Sequence, residues 1–339
     1  MKEKKDKANL FLRIVGSKTL AYSVIVALTI LLVSHKTHPD VVTTTASVNY
    51  DPCSSKLDMA RHTSNRFTRP NLLNDEYVEC RDLELLKDRL VEYIEDEKKK
   101  GDATHISVYL RKPNTLSWFE INGGEVYMPA SIMKISIMIN YLLEARINPE
   151  ILEHKIYFGT RNIELNQQNI ITDRLHENTY YTVKELLQVL MAHSDNDASA
   201  LLAKNMDQNV YKELFEDLNM PTPDIFNSDY TMNVIQCSKF FRLLFNSNYL
   251  GRDMSEMGLE LMTHCDFKDG ILKGLDNTVT VAHKFGERTG KGFKELHEGG
   301  IVYLDNHPYI LCVMTRGTDY GKLSDVIGNI SRITYNSLK

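Results

Sequence analysis

The sequence predicts a mixed α/β fold of the α+β type. One antiparallel sheet of about five strands would be covered by terminal helices, beside an inserted all-helical subdomain. Three observations predict it: two alternating segments near residue 110, helical periodicity from about 131 to 275, and three strand-like segments after 278. The 339 residues, 42% apolar and 25% charged, suffice for a sizeable core, and the net charge of −5 argues against a nucleic-acid-binding surface.

The N-terminal region differs in composition from the rest of the chain. Residues 1–18 are basic, and the stretch LAYSVIVALTILLVS that follows has no charge. We predict a cytoplasmic tail at 1–18, a transmembrane signal-anchor at 19–35 and a Thr/Ser-rich extracytoplasmic linker at 36–79. A cleaved signal peptide is the alternative, but HKTHPD, which follows the apolar stretch, contains no small-residue cleavage site.

Residues 80–339 are predicted to form one domain. A helix is expected at LELLKDRLVEYIED, and a hairpin at HISVYLR and LSWFEIN, whose residues alternate. The helical subdomain would span about 146–275. Three strands and a last helix are predicted to close the chain, at 278–287, 299–305, 308–316 and 324–338.

The five cysteines fit an exported protein. Cys53 with Cys80, and Cys237 with Cys265, are candidate disulfide pairs, and Cys312 in an apolar strand is expected to be a buried thiol. No CxxC motif or clustered His/Cys spacing is present, so no metal site is expected.

Three short motifs fall at junctions between the predicted elements. Ser131 and Lys134 lie one turn apart at the start of a helix, in YMPASIMKISI. A desolvated lysine has a lowered pKa and can accept the proton of a hydroxyl. The backbone N–H of Ser131 is one of the unpaired donors of the first turn and can point at a bound carbonyl oxygen.

The other two motifs would complete a site. Ser194-Asp195-Asn196 follows a helix and supplies a hydroxyl and an amide. His283-Lys284-Phe285-Gly286 lies on a strand, where Lys284 can attract a carboxylate and Gly286 lets an extended substrate approach closely. Each motif alone has an ordinary explanation, such as a solvated lysine, a helix N-cap or a strand end. Their order and placement favour a common site.

S-x-x-K with S-D-N and K-T-G is the signature of class A β-lactamases and penicillin-binding proteins. Over roughly residues 80–339 the chain resembles this superfamily of serine hydrolases. YTVKELLQVLMAHSDNDASALLA is similar to its helix–SDN–helix stretch, and VAHKFGE followed by GGIVYL is similar to its substrate strand and the next strand. The resemblance implies that a β-lactam or similar amide is opened through an acyl-enzyme without a metal or organic cofactor.

The resemblance also implies catalytic roles. Ser131 would be the acylated nucleophile, Lys134 would be its base or part of it, and Ser194 would carry the proton to the leaving nitrogen. With the predicted anchor, it places the catalytic domain outside a bacterial cell membrane.

The implied substrate-binding residues lie on the second and third motifs. Asn196 would bind the substrate's side-chain amide and steady Lys134, while Lys284 would bind its carboxylate beside Gly286. The backbone N–H groups of Ser131 and Glu287 would form the oxyanion hole, worth about 3 kcal/mol each in the transition state.

Two departures from the family pattern stand out. Phe285 occupies the usual Thr or Ser position, so the substrate carboxylate loses a hydrogen-bond donor, and Arg288, Thr289 and Arg316 are candidates to replace it. The glutamate that activates the deacylating water in class A enzymes is also missing. Glu216 belongs to a predicted helix, and the following loop, PTPDIFNSDYTMN, offers only two acids, Asp224 and Asp229.

Two alternatives to a β-lactamase stay open. One is a penicillin-binding D-Ala-D-Ala carboxypeptidase or transpeptidase of the cell wall, which the missing glutamate favours. The other is a non-catalytic binding module that kept the pocket and lost the chemistry.

Overall fold

The computed structural model describes residues 81–115, 117–161, 175–224, 229–305 and 307–339. The predicted tail, signal-anchor and linker, together with Cys53 and Cys80, lie outside these residues. Within the described ranges, no helix is long and apolar enough to cross a membrane.

The described elements follow the predicted order. The α-helices are α1 (Glu84–Lys100), α2 (Lys134–Ile147), α3 (Val183–Ala192), α4 (Asn196–Asn205), α5 (Gln208–Asp217), α6 (Val234–Asn246), α7 (Arg252–Thr263) and α8 (Tyr320–Leu338). The strands are β1 (His105–Arg111), β2 (Trp118–Ile121), β3 (Lys155–Phe158), β4 (Thr179–Thr182), β5 (Thr280–Gly290), β6 (Phe293–Tyr303) and β7 (Tyr309–Gly317).

A five-stranded antiparallel sheet separates two hydrophobic cores. Its strand order is β2-β1-β7-β6-β5, so β5 is an edge strand. Helices α1 and α8 cover one face, where Leu90 and Ile327 are fully buried. Helix α6 packs on the other face and joins the larger core of the helical region. The predicted fold class is therefore confirmed.

Two features of the sheets were not predicted. Strands β5 and β6 extend well into the polar segment ERTGKGFKELHE and meet at a two-residue turn, where Gly292 has a φ of +82° that favours glycine. A small sheet of β3 and β4 interrupts the helical region. Each of those strands has only four residues, too few for a clear alternating pattern.

The described cysteines, Cys237, Cys265 and Cys312, are free and buried. The predicted pairing of Cys237 with Cys265 is therefore wrong, because the two belong to different cores on opposite faces of the sheet. Cys312 is a buried thiol, as predicted. Burial is the main reason that its pKa is raised, and a hydrogen bond with Cys237 adds to the effect.

Candidate active site

Ser131 lies in a short 3₁₀ turn, Ala130–Met133, that leads directly into α2. Polar side chains of β6 fix the residues before this turn. The Met128 N–H donates to Glu295 Oε2 over 3.3 Å, and His297 Nε2 lies 3.1 Å from the Met128 carbonyl oxygen. His297 Nδ1 accepts the N–H of Thr315, so the ring proton is on Nε2 and points at Met128. Burial lowers the pKa of His297 to about 3, which keeps the ring neutral.

The amine of Lys134 is buried and held by the second motif. It lies 2.7 Å from Asn196 Oδ1 and 3.2 Å from Ser194 Oγ, and it also donates to the Ser194 carbonyl oxygen. Burial lowers the pKa of Lys134 well below its usual value, and the positive charge of Lys284 lowers it further. A neutral amine has two N–H donors for the two carbonyl oxygens and a lone pair that can accept a proton.

Ser194 lies in the connection between α3 and α4. Its side chain is almost fully buried, and its φ of +55° is in the left-handed region, which costs free energy for a residue other than glycine. Asp195 begins α4 by accepting the Ala198 N–H over 2.7 Å. This N-cap holds Ser194 and Asn196 on the same side of the connection, facing Lys134.

The strand that carries Lys284 passes directly against the Ser131 turn. A Cβ on Gly286 would lie 2.6 Å from the Pro129 carbonyl oxygen and 3.0 Å from the Ser131 amide nitrogen. Only glycine allows this approach. Because alternate residues of a strand share a face, Lys284, Gly286 and Arg288 all lie on the face directed at the turn.

Lys284 is fully buried. Its Nζ donates to the Phe285 carbonyl oxygen over 3.2 Å and lies 4.4 Å from the centroid of the Phe285 ring. Burial lowers the pKa of Lys284 to about 8, and the charges of Cys265, Glu298 and Glu287 oppose that effect. Below this pH the ammonium can attract a substrate carboxylate.

The Phe285 ring belongs to the core under the terminal helices, where it stacks on Phe267 with 4.6 Å between the ring centroids. Of the candidates to replace the missing hydroxyl, Thr289 bonds the Tyr320 hydroxyl over 3.0 Å. Arg316 is held by Glu295 and by the Val126 carbonyl oxygen. Arg288 and Arg316 both share the sheet face of Lys284, because Glu295 is the cross-strand partner of both, and of the two only Arg288 lies on the same strand as Lys284.

The two acids of the loop after α5, Asp224 and Asp229, are exposed to solvent. Residues 225–228 between them lie outside the described part of the chain. Glu216 lies on α5, as predicted, and pairs with Lys212 over 3.5 Å. The negative charges that raise the pKa of Lys134 are those of Asp195 and Glu287.

The predicted residues therefore come together. The segment of Ser131 and Lys134 contacts both the connection of Ser194 and Asn196 and the strand of Lys284, Gly286 and Glu287. The supporting residues Glu295 and His297 were not predicted, and Arg316 was named only as a candidate to meet the substrate carboxylate. The sequence shows only a run of charged residues in ERTGKGFKELHE, whose polarity is typical of a loop and gives no sign that Glu295 and His297 are buried.

Comparisons with known proteins identify the family and the fold of the chain. The family model described as beta-lactamase enzyme family matches residues 86–338. No curated protein sequence matches the chain significantly.

The chain is similar in structure to solved proteins of the same fold, and the similarity extends over nearly the whole length of each of those proteins. A variant of PBP-A, in an acyl-enzyme complex with penicillin G, is 16% identical, with a TM-score of 0.62 over 75% of this chain and 96% of that one. A β-lactamase from Xanthomonas campestris pv. campestris is 14% identical, with a TM-score of 0.63 over 75% and 99%. An ancestral class A β-lactamase is 16% identical, with a TM-score of 0.61 over 73% of this chain and 99% of that one. The chain has the β-lactamase fold and belongs to the beta-lactamase enzyme family.

Proposed function

We propose that the protein is a serine enzyme that β-lactams acylate on Ser131. The observation that carries the proposal is the Lys134 amine, which is buried, held by Ser194 and Asn196, and one turn from the Ser131 hydroxyl. In the proposed step the Ser131 hydroxyl proton passes to Lys134 as the oxygen attacks the lactam carbonyl carbon. The carbon–nitrogen bond then breaks, and Ser194 delivers the proton to the leaving nitrogen.

The substrate would lie along β5. Its carboxylate would meet Lys284 and, further along the same strand face, Arg288. The carbonyl oxygen would accept the N–H groups of Ser131 and Glu287, which the close approach of Gly286 supports. Asn196 would hold the side-chain amide of the substrate while it steadies Lys134.

Deacylation would be slow. The exposed positions of Asp224 and Asp229 favour a long-lived acyl-enzyme over rapid turnover. This observation supports the second candidate, a penicillin-binding enzyme whose natural substrate is the D-Ala-D-Ala end of a cell-wall peptide.

A fluorescent penicillin, followed over time, tests these proposals. A covalent label on the wild type that is absent from Ser131→Ala supports the acyl-enzyme. A label that persists for hours indicates a penicillin-binding protein, and a label that turns over within seconds indicates a β-lactamase. If intact-mass measurement finds no adduct with any β-lactam or ester, a non-catalytic binding module would replace both candidates.

We further propose that residues 19–35 tether the domain to the outer side of the cell membrane. The charge-free stretch after a basic start supports the tether. Membrane fractionation and protease treatment of intact cells test it. Release of the domain into the soluble fraction without proteolysis would count against an uncleaved anchor.

A further inference from the structure

A buried polar pair lies on the face of β5 and β6 that packs against the terminal helices. His283 Nδ1 is 2.6 Å from Glu298 Oε1, and both side chains are completely buried. The other carboxylate oxygen accepts the Ile271 N–H over 2.6 Å. A Cβ on Gly270 would lie 1.7 Å from that oxygen, so the Glu298 carboxylate is enclosed.

The hydrogen bonds define the charge of this pair. His283 Nε2 is buried and has no hydrogen-bond partner among the described residues. A doubly protonated ring would therefore bury an N–H without an acceptor, which is unfavourable. A neutral ring with its proton on Nδ1 donates to Glu298 instead. The pair then carries one negative charge, located on Glu298.

That charge lies beside the strand lysine. Glu298 is the cross-strand partner of Phe285, the residue after Lys284. The titratable groups that act on Lys284 are Cys265, Glu298 and Glu287, and the charge of Lys284 acts in turn on Lys134.

Cys265, Glu287 and Glu298 differ in the negative charge that each can place beside Lys284. Burial raises the pKa of Cys265, so this thiol supplies a negative charge only after it loses its proton, which needs a higher pH than for an exposed thiol. Glu287 is half-exposed, so solvent screens its charge. Glu298 is the fully buried acid of the group and supplies the least screened negative charge.

We propose that Glu298, held by His283, is a positioning residue that keeps Lys284 protonated for the substrate carboxylate. The inference rests on the proposed function, because it assumes an anionic β-lactam in the cleft. Lys284 attracts an anion only while protonated, so the rate of acylation should fall as the pH rises through the pKa of Lys284, about 8. Removal of the Glu298 charge lowers that pKa and moves the alkaline limb to lower pH.

The test compares Glu298→Gln with the wild type over the pH range 5–10. The substrates are benzylpenicillin and its methyl ester, which lacks the negative charge. We expect the alkaline limb for benzylpenicillin to move down by about one pH unit, a shift typical of losing a nearby opposite charge. The rate for the ester should change less than twofold. Glu97→Gln is the control, because Glu97 is also a buried carboxylate but lies on α1. Equal losses for both substrates at every pH would overturn the proposal, since they would indicate general damage to the site.

A second measurement does not depend on acylation. Lysine labelled with ¹³C at Cε gives an NMR titration in which the Lys284 signal is assigned by its absence from Lys284→Arg. The midpoint should fall by about one unit in Glu298→Gln. An unchanged midpoint would overturn the proposal even if β-lactams acylate the enzyme. A lowered midpoint without acylation would support it and refute the proposed function.

If Glu298→Gln does not fold, variants of His283 provide the test. His283→Leu removes the hydrogen bond that holds the Glu298 carboxylate in place, so the midpoint of Lys284 should fall. His283→Asn keeps a donor and should retain a midpoint closer to that of the wild type. The opposite order would overturn the proposal.

Discussion

Replacement of Gly286 by alanine tests whether β5 and the Ser131 turn line one cleft. The new Cβ would lie 2.6 Å from the Pro129 carbonyl oxygen and 3.0 Å from the Ser131 amide nitrogen. Both atoms belong to the backbone, so no side-chain rotation relieves the contact, and the strand and the turn must move apart. Overpacking of this kind costs about 1–3 kcal/mol. For a domain of this size that should lower the Tm by about 2–10 °C.

The same movement displaces Ser131 from the substrate strand. We expect acylation to slow about 10- to 100-fold, because a displacement of about 1 Å in the reacting groups has a cost of that order. The assay is the second-order rate of labelling by a fluorescent penicillin, measured at a temperature where thermal unfolding shows the variant to be folded. Gly124→Ala is the matched control, since its Cβ would have nothing within 4 Å. Equal labelling rates for the two variants would refute the common cleft.

Three further predictions concern the charged groups. Lys134→Ala should abolish acylation at neutral pH, because no base remains to take the Ser131 hydroxyl proton. Circular dichroism should show an intact fold, and near-normal labelling by penicillin would remove Lys134 from the mechanism. The rate for an anionic β-lactam should be bell-shaped in pH, rising as Lys134 loses its proton and falling near pH 8 as Lys284 does; a rate that still rises at pH 10 would contradict it. Arg288→Ala should weaken reaction with benzylpenicillin about 10- to 150-fold relative to its methyl ester, since a hydrogen bond to a charged group contributes about 1.5–3 kcal/mol. The same selective loss in Lys294→Ala, which removes a cation that lies over the Tyr320 ring, would rule out a specific role for Arg288.

The parts of the site that the sequence predicted are those that local rules determine. Ser131 lies two residues after Pro129 and just before an apolar helix, and Ser194 lies just after a strongly amphipathic helix. At each junction the spacing of the apolar residues changes, which the sequence shows directly. The order of these junctions along the chain was enough to place them in a known family pattern. The structure then brings the second junction to the first, where Lys134 Nζ lies 2.7 Å from Asn196 Oδ1 and 3.2 Å from Ser194 Oγ.

The supporting residues depend on long-range pairing, which a single sequence does not show. Glu295 looks like a loop residue until its register opposite Arg316 of β7 is known. The buried Glu295 carboxylate then forms an ion pair of 2.7 Å with the partly exposed Arg316. The wrong pairing of Cys237 with Cys265 has a similar cause, because spacing along the chain does not tell which face of the sheet a thiol occupies.

The register of β6 links the two halves of the site. Successive side chains of a strand point to opposite faces, so Glu295 and His297 reach the segment before Ser131, while Glu298 reaches the core beneath Lys284. A shift of one residue between β5 and β6 would exchange these faces and remove both supports together. The tight turn at Gly292 fixes this register at the end of the hairpin. The polar half of β6 thus positions the nucleophile on one face and the counter-charge of the strand lysine on the other.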